Sequence, residues 1–516
     1  MGSDRGEYAE CLSYNNQHIA AHQNDMLTLI ERLSIRQFGL LIVALYFGAS
    51  LPLLTSWPVL WPDEDVLADI ARTFAEHGYF GTTLIKGMEH HVYWLPPFHS
   101  ILLAGVITIA GFDIVSLRLF SILVGLGILW ATYRIAAKTN ENVLVPRLAV
   151  LFLAANPLFV NYVKLVRMDG VCVLLSLCAI AMMLRQGKEG RHWLAGIFIA
   201  LACLTHPLGY INVAAFGLLL IWERGERTPS ALVGLLTPLV VGLALWVTYI
   251  FRDPPSFYLQ MNLQFERKIF DIGLSTIGFI KSFWIMPTWL MATAAGTVVA
   301  IQELRARRSA IELLLSLYLI ISLLAVTVLY EFSYHLYVLP FAAIMAARLL
   351  NRWHHDVKKK RFAGLFTGAV VANCLLYFIV VNVVVHGKLR NDTDHNKLAL
   401  QVALYLPDDS TVMIDGYPSV FWGLQKSPKQ FRLIRPVFLN EARRIKALSE
   451  VKYIVFARGH YPEDDIPYIQ EKVLSFSEIL SKERKTIRPI ASVGSKERYA
   501  YSADIFEIVS LDSTSR

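Results

Sequence analysis

Charged residues are scarce in this chain. They account for 17% of its 516 residues, whereas hydrophobic residues account for 55%. A soluble globular domain carries roughly a quarter charged residues, so this composition excludes an ordinary soluble protein. Long apolar runs separated by short polar stretches instead predict a mostly α-helical, polytopic membrane protein.

We expect neither a cleavable signal sequence nor a nucleic-acid-binding face. Residues 1–35 are polar and contain no apolar core of the kind that a signal peptide has. The formal net charge is +8, but the basic residues form short clusters between apolar runs. Such clusters are typical of cytoplasmic loops. We therefore expect membrane lipids, and no nucleic acid, among the partners.

Cysteine supplies neither a disulfide nor a metal site. Four of the five cysteines, Cys172, Cys178, Cys203 and Cys374, lie inside apolar runs, and Cys11 lies in the polar leader. No two of them have the spacing of a paired or metal-binding motif, so we expect no disulfide.

Twelve apolar runs precede the C-terminal region. They lie near residues 37–56, 96–111, 115–137, 147–162, 170–185, 193–205, 207–222, 231–251, 283–301, 311–330, 334–350 and 362–386. The run at 96–111 has about the length of a re-entrant or interfacial segment. If it does not cross the membrane, the Arg and Lys clusters between the other runs fall on the same side as the leader. The sequence therefore predicts about eleven transmembrane helices.

This topology divides the chain into three parts. Residues 1–35 form a cytoplasmic leader, residues 36–386 the transmembrane domain with a long first extracytoplasmic loop at 57–114, and residues 387–516 an extracytoplasmic domain. In the last part, strand-like runs near 411–415, 430–434, 452–456 and 504–509 alternate with helical stretches at 395–406, 440–449 and 463–482. That alternation predicts a small α/β domain.

The first extracytoplasmic loop contains three consecutive acids, Asp63, Glu64 and Asp65. Apolar residues recur after them at helical spacing from Leu67 to Phe74, which predicts an amphipathic helix able to lie along a membrane surface. The acids would then lie at the positive end of the helix dipole. Two roles remain open for Asp63: it caps the helix, or its side chain turns toward a cavity and acts in catalysis.

The two neighbours of Asp63 are expected to behave differently. Asp65 shares a polar stripe with Asp69 and Arg72, so we expect it to face water. Glu64 lies beside Asp63, where it would support that carboxylate, bind a metal or complement the helix dipole.

Further candidate residues lie in the expected outer loops. Arg167 and Asp169 are two residues apart between apolar runs and suit an anion and a polar partner. The alternative is a plain interfacial turn whose arginine reaches lipid head groups. Lys86 and Glu89 precede an aromatic stretch and are candidates for a phosphate contact or a divalent metal, and His206 would complete a polar pocket at the end of a span.

Taken in order, these motifs resemble the GT-C superfamily of membrane glycosyltransferases, in the branch of protein O-mannosyltransferases and lipid A aminoarabinose transferases. The resemblance covers about residues 36–350. It rests on the pair Asp63-Glu64 opening a helix, on Tyr93-Trp-Leu-Pro-Pro before an apolar helix, on Arg167-Met-Asp169 after the third span, and on the late Tyr337-Val-Leu-Pro340.

The resemblance implies a polyprenyl-phosphate-linked sugar donor and a lipid, glycan or protein acceptor. Transfer in one step would invert the anomeric carbon, with Asp63 as general base and with Glu64 and Asp169 as further catalytic residues. The resemblance also implies the GT-C fold, in an integral protein of the bacterial inner membrane whose active site and C-terminal domain face the periplasm.

One motif departs from the family. Relatives often place Glu-Lys-Pro-Pro before the apolar helix, with the lysine near the donor phosphate, whereas here no lysine lies between Glu89 and Pro96. The donor phosphate is therefore left to Lys86, Arg167 or His335. Glu89 and His206 remain the candidate ligands if a divalent metal takes part.

A transporter or flippase of lipid-linked saccharides is the alternative, because such a protein would also have many spans. A transporter should carry acids or broken helices near mid-membrane. Here the interiors of the apolar runs are almost free of ionisable residues, and the polar groups gather toward one side. This distribution favours an enzyme.

Overall fold

The structure is a computed structural model and describes residues 27–511, except 59, 141, 185–189, 224–227, 266–286, 307–308, 330, 357, 389–393, 437–440, 459–461 and 496–499. Residues 1–26 of the predicted leader lie outside the described part. The described chain is mostly helical, as its composition predicts, with a small sheet near its end.

Helices occupy most of the described chain before residue 389. They are α1 Ile35–Ser50, α2 Glu64–His77, α3 Phe98–Ala110, α4 Ile114–Thr139, α5 Leu144–Ala154, α6 Pro157–Val163, α7 Met168–Met183, α8 Arg191–Cys203, α9 Tyr210–Trp222, α10 Pro229–Ile250, α11 Pro287–Ala306, α12 Ala310–Val328, α13 Leu339–His355 and α14 Lys360–Lys388. Two 3₁₀ turns lie between them, at Pro207–Gly209 and Phe332–Tyr337, and a further helical segment covers 254–265.

Helix length supports several membrane spans but does not confirm a count of eleven. Four described helices are long and apolar enough to cross a bilayer: α4, α10, α12 and residues 360–381 of α14. The bent pair α5 and α6 adds a fifth if it forms one span. Five further apolar stretches, at α1, α3, α7, α8 and residues 207–222, have 10–17 residues each.

A sharp bend separates α5 from α6. The two helices meet at 62°. The Asn156 side chain accepts hydrogen bonds from the backbone N–H groups of Leu158 and Phe159, at 2.9 and 3.2 Å, and Pro157 occupies the first position of α6. Such a cap followed by proline starts a helix in a new direction. Helix α6 then ends at Val163, directly before the segment 164–169.

Helix α3 is too short to cross a membrane by itself. Its 13 residues extend about 20 Å at 1.5 Å per residue, against roughly 30 Å of hydrocarbon. Leu103, Ala104 and Ile107 are buried in the same apolar cluster as residues of α2. This length agrees with the expectation that the run at 96–111 stays within the first outer loop.

Helix α2 is covered on both faces. Val66, Leu67 and Ile70 belong to an apolar cluster that also contains residues of α3 and of the C-terminal domain. Asp65 and Asp69, on the opposite face, are fully buried as well. The expectation that Asp65 faces water is therefore wrong, and a position of the helix along the membrane surface stays a prediction. Periodicity could not reveal that a later domain covers the polar face.

The C-terminal domain contains a five-stranded sheet with the order β2-β1-β3-β5-β4. The strands are β1 Ser410–Gly416, β2 Phe431–Ile434, β3 Tyr453–Arg458, β4 Lys485–Gly494 and β5 Ser502–Ser510. The helices are α15 His395–Tyr405, α16 Ser419–Leu424, α17 Glu441–Glu450 and α18 Pro462–Ser481. Strands β2, β1 and β3 are parallel, while β5 and β4 are antiparallel to their neighbours. The predicted α/β domain is thus confirmed, although β4 and α16 were not predicted.

The C-terminal domain shares its core with the loop at 57–114. The Phe112 ring, after α3, lies 5.2 Å from the Trp422 ring and 6.3 Å from the Phe421 ring, both on α16. Lys426 forms an ion pair of 2.7 Å with Asp113 beside them. The domain is therefore packed against the loop that carries the acidic helix.

Candidate active site

Three consecutive acids at the start of α2 bind three different arginines. The pairs are Asp63 with Arg167, Glu64 with Arg118 and Asp65 with Arg435. The arginines come from the loop before α7, from α4 and from the C-terminal domain. Because helical side chains turn about 100° per residue, neighbouring acids point in different directions. The acidic stretch therefore joins three separate parts of the chain.

Asp63 stands at the N-cap position of α2, but its side chain makes no capping hydrogen bond. Its Oδ2 atom accepts a hydrogen bond from Nη1 of Arg167 at 2.6 Å, and the side chain is 27% exposed. Asp63 also lines a cavity between the loop and the helical bundle. Of the two roles that the sequence left open, capping is wrong, and the side chain turns toward a cavity as expected.

Arg167 binds three carboxylates at once. Besides Asp63, it donates from Nε to Oδ2 of Asp169 at 2.9 Å and from Nη2 to Oε2 of Glu331 at 2.7 Å. Burial alone would lower the pKa of Arg167, but the three carboxylates raise it well above its usual value. The guanidinium is only 3% exposed, so the alternative of an arginine that reaches lipid head groups is wrong.

The carboxylates around Arg167 differ in exposure. Asp169 is fully buried in the first turn of α7, whereas Asp63 and Glu331 are 27% and 23% exposed and line the cavity. Asp169 therefore binds Arg167 on the buried side, away from the cavity. The two other carboxylates occupy the side from which a ligand would approach.

Glu64 is engaged at both oxygens. Arg118 donates from Nε at 3.0 Å and from Nη2 at 2.6 Å, and the backbone N–H groups of Val166 and Trp61 add bonds of 2.8 and 2.6 Å. Both charged side chains are completely buried. The bond to Val166 places the neighbouring Arg167 beside α2. Of the roles open to Glu64, the structure favours support of the Asp63 position.

A cavity of about 410 Å³ lies beside the Arg167 cluster. Its polar lining residues are Asp63, Arg167, His206, Gln264, Glu331 and Tyr334, and its apolar ones are Leu67, Trp94, Leu95, Met168, Pro207, Leu208, Met261, Phe265 and Leu329. Three of the polar residues are linked by ion pairs, because Arg167 binds both Asp63 and Glu331. A mostly apolar cavity with a few convergent polar groups suits an amphipathic small molecule.

His206 lines the cavity, as its position at a span end suggested. Its Nδ1 atom accepts a hydrogen bond from the backbone N–H of Leu208 at 3.0 Å. Its ring lies 5.5 Å from that of Tyr334 and 5.8 Å from that of Tyr337. The imidazole thus belongs to the polar wall predicted from sequence, with one nitrogen already occupied.

Lys86, Glu89 and His335 lie away from the cavity lining. Lys86 binds the carboxylate of Glu450 in the C-terminal domain and, by that hydrogen bond, lowers the pKa of Glu450. Glu89 accepts a hydrogen bond from the backbone N–H of Gly87 at 2.7 Å, and His335 is fully buried. Phosphate binding by Lys86 or His335 stays a prediction.

No group of three His, Cys, Asp or Glu side chains suited to a metal ion occurs among the described residues. The three carboxylates that do converge surround Arg167, whose charge occupies the place that a cation would take. Glu89 and His206 form no such group. Metal binding by Glu89 and His206 stays a prediction.

Sequence reasoning missed four residues of this region. Arg118 and His99 lie in apolar runs, where a lone ionisable residue is itself a signal of function or of a buried partner. His99 is 2% exposed and lies within electrostatic range of Asp169. Glu331 and Arg435 lie in segments without a recognisable motif, so no local pattern could have identified them.

Comparisons with known proteins agree with this geometry. Residues 95–251 match the family model of the dolichyl-phosphate-mannose-protein mannosyltransferases. No curated protein sequence matches the chain significantly.

Solved structures extend the likeness to nearly the whole chain. ArnT from Cupriavidus metallidurans, bound to undecaprenyl phosphate, matches with a TM-score of 0.56 at 15% identity, over 91% of this chain and 97% of that one. The oligosaccharyltransferase of Archaeoglobus fulgidus matches at 0.55 and 11%, over 92% and 74%. The mycobacterial arabinofuranosyltransferase AftD matches at 0.52 and 12%, over 92% and 40%. The predicted resemblance is thereby confirmed: the chain has the fold of the GT-C superfamily of membrane glycosyltransferases, and its residues 95–251 match the mannosyltransferase family of that superfamily.

Proposed function

We propose that this protein is a glycosyltransferase that moves a sugar from a polyprenyl-phosphate-linked donor to an acceptor at the outer face of the membrane. The observation that carries the proposal is that the Asp63 carboxylate and the Arg167 guanidinium meet at the wall of an apolar cavity. The apolar part suits a lipid chain, the guanidinium suits a phosphate, and the carboxylate suits a proton from an acceptor.

The relatives support this class of substrate. The ArnT structure contains undecaprenyl phosphate, and the archaeal oligosaccharyltransferase was solved with a dolichol-phosphate and an inhibitory peptide. Undecaprenyl phosphate and dolichol-phosphate are both polyprenyl phosphates. We carry that substrate class, but no particular sugar or acceptor, over to this protein.

Arg167 is the proposed phosphate contact, because of the three candidates Lys86, Arg167 and His335 it is the one that lines the cavity. All three of its nitrogens are already bonded to carboxylates. A donor phosphate must therefore displace a carboxylate, and the partly exposed Asp63 and Glu331 are easier to displace than the buried Asp169. Displacement of Asp63 would free its carboxylate as a base at the moment when the donor arrives.

The reaction then needs one base and one leaving group. Asp63 accepts the proton from the acceptor hydroxyl or phosphate as the acceptor oxygen bonds to the anomeric carbon. The bond from that carbon to the donor phosphate oxygen breaks, and its electron pair leaves with the polyprenyl phosphate. Displacement from the opposite side inverts the anomeric centre. Asp169 keeps Arg167 in place, and Glu64 keeps Asp63 beside it.

The location of the reaction follows from the charge pattern of the loops. The basic clusters mark the cytoplasmic side, so the acidic loop and the C-terminal domain belong to the outer side. In a bacterial inner membrane this side is the periplasm. Sugar donors carried by polyprenyl phosphate, rather than by nucleotides, suit a reaction there.

Labelled donors in proteoliposomes test the proposal against the flippase alternative. Purified protein would receive undecaprenyl-phosphate-linked pentoses and hexoses labelled in the sugar, together with an extract of cell-envelope acceptors. We expect protein-dependent release of undecaprenyl phosphate and transfer of the label to an acceptor. Movement of intact donor between leaflets, without cleavage of the sugar–phosphate bond, would support the flippase instead.

A further inference from the structure

Asp65 and Arg435 join the C-terminal domain to the start of α2. Nη1 of Arg435 donates a hydrogen bond to Oδ2 of Asp65 at 2.5 Å, and the two residues are 370 positions apart in sequence. Their side chains are 0% and 1% exposed. This ion pair is separate from the cluster around Arg167, yet it begins two residues after Asp63.

Besides Asp65, Arg435 is bonded both to the loop at 57–114 and to its own domain. Its backbone N–H donates to the carbonyl oxygen of Leu84 at 2.6 Å, and its Nη2 donates to that of Gly416 at 2.8 Å. Gly416 ends β1 with a φ of +84°, which L side chains rarely adopt, and a Cβ there would collide with the carbonyl oxygen of Ala457. The backbone of the sheet thus shapes the site that holds the guanidinium.

A second contact holds the chain on the other side of Asp63. The Tyr501 hydroxyl accepts a hydrogen bond from the backbone N–H of Leu60 at 3.1 Å, and Tyr501 is buried. Leu60 precedes Asp63 by three residues and Asp65 follows it by two. The C-terminal domain therefore holds both ends of the segment 60–65, whose middle carries Asp63.

Stability alone does not account for the Asp65–Arg435 pair. Desolvation of two charges offsets much of their attraction, and an apolar pair of similar volume is often as stable. Burial raises the pKa of Asp65 to about 6, while Arg435 acts to lower it. A charge-assisted hydrogen bond does supply a defined direction. Because a misplacement of about 1 Å can cost a reaction on the order of a hundredfold in rate, direction matters most near a catalytic group.

We propose that Arg435 is a positioning residue through which the C-terminal domain holds Asp63 at the cavity. The proposal rests on the proposed function, in which Asp63 is the general base. The C-terminal domain is then a part of the catalytic unit, because the geometry of the acidic segment depends on it.

Four variants separate positioning from folding. Arg435→Met removes the guanidinium, and the double variant Asp65→Asn with Arg435→Met leaves no unpaired carboxylate in the interior. Arg435→Lys keeps the charge but loses the fork of donors. The control is Arg488→Met, which removes the exposed ion pair of Arg488 with Glu507 between β4 and β5, in the same domain but outside both contacts with the segment 60–65.

Two measurements are made on the full-length protein in detergent or nanodiscs. The first is kcat and donor KM with an undecaprenyl-phosphate-linked sugar that the wild type consumes. The second is amide hydrogen exchange over residues 60–67. For Arg435→Met and the double variant we expect kcat to fall about 10- to 100-fold with donor KM nearly unchanged, and exchange to become faster. Arg435→Lys should lie between these variants and the wild type, and the control should match the wild type.

The two readouts distinguish this inference from the proposed function. A double variant with wild-type kcat, or with unchanged exchange over 60–67, would overturn the positioning role. If the wild type consumes no polyprenyl-phosphate sugar, the proposed function fails. Faster exchange in the variants would still show that the C-terminal domain holds the segment 60–65. If Arg435→Met does not fold, the Lys variant, the double variant and Tyr501→Phe, which removes only the hydroxyl, provide the same comparison.

Discussion

Oδ2 of Asp63 lies 2.6 Å from Nη1 of Arg167, although the two residues are 104 positions apart in sequence. Both residues line the same cavity. In this arrangement the Asp63 carboxylate is bound by a cation rather than by a substrate. A base held in this way is occupied by that contact. Our account therefore requires the donor phosphate to compete for Arg167 before Asp63 can accept a proton.

Arg167→Lys should weaken donor use while keeping the positive charge. A lysine cannot bind two oxygens of one phosphate in a planar fork, and it cannot satisfy three carboxylates at once. We expect donor KM to rise about 10- to 100-fold, since each charge-assisted hydrogen bond contributes about 1.5–3 kcal/mol. Arg134→Lys is the matched control, because Arg134 is exposed and lies over the Trp130 ring. Equal donor KM in Arg167→Lys and the wild type would exclude Arg167 as the phosphate ligand.

Arg118→Met should destabilise the fold. It leaves the Glu64 carboxylate buried without its charged partner, which typically costs about 3–5 kcal/mol. Adding Glu64→Gln should recover part of the loss, because the stranded charge disappears. Thermal unfolding in detergent measures both effects. An unchanged melting temperature in Arg118→Met would show that this pair does not hold the acidic segment.

Asp65 should make stability depend on pH in a defined window. Burial raises the pKa of Asp65 from 3.8 to about 6 in the folded protein, so its folded form binds a proton more tightly than its unfolded form. Its contribution to stability is complete below about pH 4 and is lost as the pH rises through about 6. The difference in melting temperature between the wild type and Asp65→Asn should therefore fall between pH 4.5 and 7. A difference that stays constant or rises over this range would contradict the assignment.

Filling the cavity should obstruct the lipid part of the donor. Leu329 is 38% exposed and lines the cavity, so Leu329→Trp adds bulk where space exists. We expect donor KM to rise for long polyprenyl chains and to change less for a short-chain analogue. Leu324→Trp is the control, because Leu324 is 63% exposed on the preceding helix α12 and does not line the cavity. Equal effects of the two tryptophans would place the lipid elsewhere.

Local patterns predicted the helices, the α/β domain and the cavity residues Asp63, Arg167 and His206, because these depend on composition, periodicity and short motifs. The Asp63 helix begins where the acids and the apolar spacing indicated. The α/β domain follows from runs of strand-like residues that the sheet confirms. These features need no knowledge of distant parts of the chain.

Contacts across long sequence distances could not be predicted in the same way. The apparent polar stripe of α2 suggested that Asp65 faces water, but Arg435 lies against it from a domain far along the chain. Nothing near residue 435 marks that arginine as a partner. Likewise, Glu331 is one of the three carboxylates that bind Arg167, and it lies in a segment without a recognisable motif.

Replacement of the proposed base tests the central claim most directly. Asp63→Asn keeps the size of the side chain and removes its ability to accept a proton. Asp409→Asn is the matched control, since Asp409 is exposed in the C-terminal domain at a φ of 56°, which asparagine tolerates. For each protein, single-turnover transfer from an undecaprenyl-phosphate-linked sugar and binding of undecaprenyl phosphate would be measured. Our account predicts that Asp63→Asn transfers sugar at least about a hundredfold more slowly while it still binds the lipid, and that the control matches the wild type. Near-normal turnover by folded, lipid-binding Asp63→Asn protein would contradict it.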